Sequence, residues 1–396
     1  MLQNQSLGQS DRLDAFTARR HESLESLESV WRLLEKEGRA TAFQQFDWMR
    51  AVEEHLARPK GITAFVVEVS DAKSGRMRML LPFILTRKAA YSIVEYMGLN
   101  VCDISAPLIA PGYRFTESSG EALWAAIATC LPKADLVYID LIPSMIQGEI
   151  NPLATLPGIR RISLQSFDVA IDGDPETIVE RLVNGRTRRS LKKSSRRLAE
   201  RGDVRFLEAT SREDLEALLP VMIAQRLERF RALDRFDLLA DPQVQSFYTD
   251  AAIRSLQGRG PVRVFGLSVA GEWIATAYGL VHAKTFHLLI VSMAGGGWEA
   301  SAPGIAIIAQ FVRWSRQQGL TMMDFSLGEM DYKTGFGGQP HDLYALSLPL
   351  TSRGRVAAAM RHAAARTKER LMARPRLFAF LRPAVRLCRR MTSPFR

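Results

Sequence analysis

Residues 262–293 read VRVFGLSVAGEWIATAYGLVHAKTFHLLIVSM. Three apolar extended stretches, 262–269, 273–282 and 286–293, are separated by Ala270-Gly271-Glu272 and by Ala283-Lys284. Short turns between β-branched and aromatic runs predict an antiparallel meander of three strands. Phe247, Ile253 and Leu256 mark a helix ahead of it. Behind it, a helix is expected over about 303–318 and a strand over 322–326. The first half repeats this order. Phe43, Phe46, Trp48, Met49, Val52 and Leu56 fall at helical spacing, and extended stretches follow at 62–69, 77–86 and 91–97. The turn Asp71-Ala72-Lys73-Ser74-Gly75 separates the first two, and a helix near 121–130 and a strand at 136–141 complete the set. Matching starts pair Ile62 with Val262, Met77 with Trp273 and Tyr91 with Phe286. Self-similarity of this kind predicts a duplicated unit. The unit is a mixed α/β layer fold, not a doubly wound parallel sheet.

Composition sets the outer bounds. The chain has 396 residues, 47% hydrophobic and 24% charged, enough for a sizeable core. No apolar run reaches the roughly 18 residues of a membrane span, and the polar N-terminal Met1, Leu2, Gln3, Asn4, Gln5 and Ser6 do not form a signal-peptide core. Cys102, Cys130 and Cys388 are too scattered for a disulfide framework or a metal set, so a reduced, cytoplasmic protein is expected. No metal is expected. No Gly-x-Gly-x-x-Gly and no phosphate-loop Lys is present, which argues against nucleotide-dependent chemistry. Charge is uneven. Residues 353–396 hold thirteen Lys and Arg against the single acid Glu369, so this arm is +12 of a total of +11 and the rest carries −1. A second basic cluster, Arg186, Arg188, Arg189, Lys192, Lys193, Arg196, Arg197 and Arg201, lies inside the globular part. Positions 189, 193, 196 and 197 share a helical face, either a solvated face or an attraction for an anionic substrate.

The chemistry-bearing stretch follows the strand at 322–326. Leu327-Gly328-Glu329-Met330-Asp331-Tyr332-Lys333-Thr334-Gly335-Phe336-Gly337 crowds acids, a Tyr and a Lys into a strand-end loop between glycines. Several short motifs, Ala302-Pro303-Gly304, Asp324-Phe325-Ser326-Leu327-Gly328, Asp331-Tyr332-Lys333 and Phe336-Gly337, combine with Arg188-Arg189-Ser190-Leu191-Lys192-Lys193 and Leu198-Ala199-Glu200-Arg201-Gly202 upstream. Together they resemble the GNAT-like acyltransferases of the branch that includes cellulose-biosynthesis-associated acetyltransferases. That branch is related to the Fem-type aminoacyl transferases, which carry two GNAT-like units. The resemblance covers about 41–350 and is strongest over 186–340.

The resemblance implies tandem GNAT-like units with mixed, mostly antiparallel sheets and flanking helices. The expected organisation is a helical lead-in at 1–40, a first unit at 41–165, a second unit with the donor site at 166–350, and the basic arm at 351–396. It implies transfer of an acyl group from a thioester to an amine or, less often, a hydroxyl, with acyl-CoA as co-substrate and no bound cofactor. In that fold the donor lies in a splay beside the fourth strand, its pyrophosphate at the N-terminus of the next helix. Gly295, Gly296, Gly297, Ser301 and Gly304 are therefore the expected donor-binding residues, where backbone N–H groups and a helix start favour an anion. The loop departs from the Gln/Arg-x-x-Gly-x-Gly/Ala of acetyl-CoA enzymes and carries Glu299. Acyl transfer needs a neutral amine, and a carboxylate or a His can take its proton directly or through water. Glu329 and Asp331 are the candidate bases. Tyr332 is the candidate for orienting the carbonyl or protonating the thiolate, and Lys333 for stabilising the oxyanion or contacting a donor phosphate. His282 and His287 read better as hydrogen-bonded or exposed residues than as catalytic ones, Asp324 reads equally as a structural pairing or a catalytic group, and Tyr278 reads as core.

The expected partners are acyl-CoA and an amine-bearing small molecule or lipid, including an envelope polysaccharide precursor. An anionic membrane surface is the expected contact of the arm, at the inner face of the membrane. Nucleic acid is disfavoured, since few aromatics interleave the charge. Two alternatives remain open: a Fem-type transferase using aminoacyl-tRNA, and a non-catalytic GNAT scaffold that binds a partner or membrane.

Overall fold

The structure, a computed structural model, describes residues 15–372, with side chains described as far as Thr367. Its first half runs β1 (Phe16–His21), α1 (Glu28–Glu37), α2 (Phe46–Val52), β2 (Thr63–Asp71), β3 (Met77–Arg87) and β4 (Ser92–Tyr96). Then come a short β5 (Leu108–Ile109), α3 (Gly120–Cys130), β6 (Leu136–Pro143), a small hairpin of β7 (Met145–Ile146) and β8 (Glu149–Ile150), and β9 (Ile159–Ala170). The second half continues with α4 (Ile178–Leu182), α5 (Gly185–Ala199), β10 (Val204–Glu208), α6 (Arg212–Ala232) and α7 (Pro242–Leu256). It closes with β11 (Val262–Val269), β12 (Glu272–His282), β13 (Thr285–Met293), α8 (Pro303–Gln317), β14 (Met322–Leu327), α9 (Asp331–Gly335), β15 (Gln339–Pro349) and α10 (Ser352–Met372).

Both meanders form as their turn chemistry requires. Ala270 and Gly271 take positive φ (49° and 86°) between β11 and β12, which the tight connection demands. In each half the third meander strand is parallel to the strand after the helix: β4 to β6, and β13 to β14. All the long strands join one sheet, in the order β1-β2-β3-β4-β6-β15-β9-β14-β13-β12-β11-β10. This is a mixed α/β fold with a mostly antiparallel sheet.

The centre of the sheet departs from two self-contained units. β9 follows the first unit in the chain, yet it pairs antiparallel with β14 of the second. β15 follows β14, yet it pairs antiparallel with β6 of the first. The two halves thus exchange their last strands, and β9 and β15 pair with each other between them. The expected boundary between 165 and 166 falls inside β9. The lead-in is also not purely helical, because β1 pairs antiparallel with β2 and forms the sheet edge. The core crosses the junction as well. Trp48 on α2 packs edge-on against Phe247 on α7, with ring centroids 4.8 Å apart. Truncating such a buried Trp to Ala costs about 3–5 kcal/mol. On the opposite layer α8 lies on the second meander, where Phe311 stacks on Phe286 at 5.4 Å and Trp314 meets Phe265 at 4.8 Å.

Candidate functional site

The site begins where β13 and β14 part. They pair only from Thr285 with Met322 to His287 with Asp324. Beyond that, β14 turns toward β9, and its register shifts between Asp324 and Leu327. The cause is local. Asp324 Oδ1 accepts the backbone N–H of Ser326 at 2.7 Å, and Ser326 takes a left-handed φ of 64°. A non-glycine residue held there by a side-chain turn stores strain, a mark of functional positions. The other Asp324 oxygen bonds His287 Nδ1 at 2.8 Å, and both residues are buried (7% and 6% exposed).

The stretch read as a loop is helical in its middle, forming α9. Asp331 sits in the first turn, where an acid complements the helix dipole. This turn swings Lys333 inward until it is 1% exposed. Its Nζ donates to the carbonyls of Ser326 (3.0 Å) and Leu327 (2.7 Å), tying down the strained strand end. Burial pulls the Lys333 ammonium down to about 8, against the opposing attraction of Asp324 and Asp103. Tyr332 is half-buried edge-on against Phe325, and burial pushes its phenol up to about 12. Glu329 and Asp331 lie exposed on the outer side of the turn.

The decisive side chain comes from the other half. Asp103, in the segment after β4, accepts a hydrogen bond from Ser326 Oγ across 223 positions of sequence. Burial pushes the Asp103 carboxyl up to about 6, with Asp324 adding to the rise and the Ser326 bond, Lys333 and His287 opposing it. Asp103 also lines a cavity of about 290 Å³, whose walls include Arg226 and Phe230 of α6 and Leu289 and Ile290 of β13. β13 slips register against β12 here, from Tyr278 with Ile290 to Gly279 with Leu288, leaving Leu289 as the extra residue of a bulge. Bulges re-aim a strand beside a site. Sequence reading missed Asp103, Ser326 and Arg226. The available signal was a lone acid in the apolar run 101–104, directly after a meander strand.

The expected donor-loop residues are not among those that line this cavity, and the loop is pinned by α5. Ser194 Oγ donates to the Ser301 carbonyl at 2.5 Å, Arg197 to the Ala300 carbonyl, and Arg201 to the Gly297 carbonyl at 3.0 Å while covering the Trp298 ring. Gly296 and Gly297 take positive φ in open space, and a side chain on Gly304 would strike Met293 Cε at 2.6 Å. Gly295 lies between Glu228 and Glu299. Glu299 Oε2 accepts the Gly297 N–H at 3.0 Å, so an internal carboxylate holds an amide that an anion would seek. The outer face of α5 leaves Arg189, Lys193 and Arg196 exposed, whereas Arg197 turns inward. At its start, Asn184 N–H bonds the carbonyl of Gly335 on α9. The basic helix therefore bridges the glycine loop and the Lys333 turn.

Residues 185–334 match the acetyltransferase (GNAT) domain family. The match runs from α5 into α9 and so includes the glycine loop, the strand splay and Lys333. Among solved structures the chain is similar to FemX, with a TM-score of 0.56 and 11% identity, covering 82% of this chain and 96% of FemX. It is also similar to the C-terminal domain of a putative lysylphosphatidylglycerol synthetase from Agrobacterium fabrum (TM-score 0.50, 13% identity, 85% and 95% covered). L-PGS from Bacillus licheniformis gives a TM-score of 0.50 at 14% identity, with 87% and 98% covered. At such identities the likeness establishes a shared fold. No curated protein matches the chain by sequence. Among the described residues no helix is long and apolar enough to cross a membrane.

Proposed function

We propose that this protein is an acyltransferase that moves an acyl group from an acyl-CoA thioester to an amine held in the cavity between its halves. The observation that carries the reading is Asp103 of the first half bonded to Ser326 of the second at the edge of that cavity. A carboxyl shifted to about 6 is ionised near neutral pH yet basic enough to accept a proton. Asp103 takes the ammonium proton of the acceptor. The freed nitrogen attacks the thioester carbonyl carbon, the C–S bond breaks with its electron pair on sulfur, and the nitrogen passes its second proton to Tyr332. Tyr332, kept protonated by burial, relays a proton to the thiolate. Lys333 is a positioning residue that holds the carbonyls of Ser326 and Leu327. Gly295, Gly296, Gly297, Ser301 and Gly304 carry the donor's phosphates once Glu299 swings off Gly297. Placement in the cellulose-associated branch, and an anionic membrane contact through the basic arm, belong to the same proposal.

Release of free thiol from acetyl-CoA and from a long-chain acyl-CoA, measured with a panel of amines, tests this reading. Saturable donor binding and amine-dependent thiol release are expected. No binding of either thioester removes the acyl-CoA mechanism, and unchanged turnover in Asp103→Asn removes Asp103 as the base. A second reading, aminoacyl-tRNA as donor, is favoured by one feature: Glu299 occupies the glycine loop while the cations of α5 lie open beside it. Ribonuclease-sensitive transfer would establish that alternative.

A further inference from the structure

The cavity is lined by three charged side chains, Asp103, Arg226 and Asp237, among polar and apolar neighbours. Arg226 contributes the positive charge, and its orientation is set by its neighbours. Its Nε donates to Asp237 Oδ2 at 2.7 Å, and its guanidinium lies over the Phe230 ring at 4.7 Å. Asp237 is held in turn by the Leu239 N–H at 2.9 Å and is only 7% exposed. Among the described residues no other acceptor is bonded to this guanidinium, so its terminal nitrogens remain available to a ligand in the cavity they line. Asp103, Arg226 and Tyr248 all line this one cavity of about 290 Å³. Phe236, Leu238 and Leu289 supply apolar surface nearby.

From this arrangement we infer that the acceptor is a small zwitterion: a primary ammonium directed to Asp103, an anionic oxygen group a few bonds away paired with Arg226, and a compact apolar body. The inference rests on reading the cavity as the acceptor site. A lone amine would leave the Arg226 terminus desolvated without a partner, and a lone anion would face Asp103. Arginine suits planar two-point pairing with a carboxylate or phosphate. Two sources share this chemistry, an apolar α-amino acid and a phosphoethanolamine headgroup.

Calorimetric titration of the full chain at pH 7.5 with L-leucine, L-leucinamide, isoamylamine and O-phosphoethanolamine separates them. Leucine or phosphoethanolamine is expected to bind at least tenfold more tightly than leucinamide and isoamylamine, and the tighter of the two identifies the source. In the doubly neutral Arg226→Gln/Asp237→Asn variant, with its fold checked by circular dichroism, that preference should fall below threefold. Equal binding of the amines without an anion, a preference that survives in the variant, or no binding of any of the four overturns the inference. Thiol release with isoamylamine and leucinamide as efficient as with leucine would leave acyl transfer standing and remove the zwitterion. Tight leucine binding without thiol release would do the reverse.

Discussion

Asp103→Asn should make the protein more stable and less active at once. The substitution keeps the size of the side chain and an oxygen that can accept from Ser326 Oγ. It removes the ionised carboxylate, which the fold disfavours: the group is raised from 3.8 to about 6. At about 1.4 kcal/mol per unit, holding this charge costs the native state on the order of 3 kcal/mol, an upper value because the charge borders a cavity. The sign follows from proton binding. Between pH 4 and 6 the unfolded chain releases this proton while the native state keeps it, so wild-type stability falls as pH rises through that window. The variant has no such term. Urea unfolding of both proteins at pH 4 and pH 7.5 should therefore give nearly equal stability at the lower pH and a variant advantage of about 1–3 kcal/mol at the higher. Thiol release at pH 7.5 should fall by about 10²–10⁴-fold, the range for loss of a positioned base. The wild-type rate should rise with pH through about 6, and this limb should vanish in the variant. A variant less stable at pH 7.5, or one that keeps the wild-type pH profile, refutes the reasoning.

Three further perturbations probe the rest of the site and the arm. Lys333→Met leaves the Ser326 and Leu327 carbonyls without their donor and should cost about 2 kcal/mol in unfolding at pH 7. Because the Lys333 ammonium is lowered to about 8, the native protein releases its proton before the unfolded chain does, and the variant's deficit should widen from pH 8 to 10; a deficit that narrows there contradicts the assignment. Glu299→Gln removes a carboxylate from the Gly297 N–H and should lower KM for the thioester several-fold with kcat unchanged; a raised KM would show that Glu299 aids donor binding. Deleting residues 373–396 removes seven Lys and Arg and no acid. Each cation contributes about 1 kcal/mol near an anionic surface, so sedimentation with phosphatidylglycerol vesicles at low salt should be lost, and retained sedimentation would place any membrane contact elsewhere.

The repeated order of helix, meander, helix and strand was legible because each element is specified within a short window. Apolar alternation and Gly-containing turns define β11 to β13, and the broad apolar face of 303–317 defines α8. β9 was not legible. Its sequence, IRRISLQSFDVA, is half polar, and its partners, β14 and β15, lie more than 150 positions away. β15 was missed for the same reason. At the site, the Asp331-Tyr332-Lys333 motif was visible as chemistry, yet composition gave no means of knowing which of its side chains turn inward. The helical turn of α9 buries Lys333 and leaves Glu329 and Asp331 exposed.

The sequence by itself determined the duplicated α/β unit, the glycine loop before α8, the charged strand end and the basic arm, since all are local patterns of spacing and charge. Only the tertiary structure decided that the halves exchange their last strands, that Asp103 meets Ser326, and that Arg226 shares a cavity with both halves. Those contacts form between residues far apart in the chain, and burial at the junction sets their charge states. No local window contains either the partner or the dielectric that shifts it.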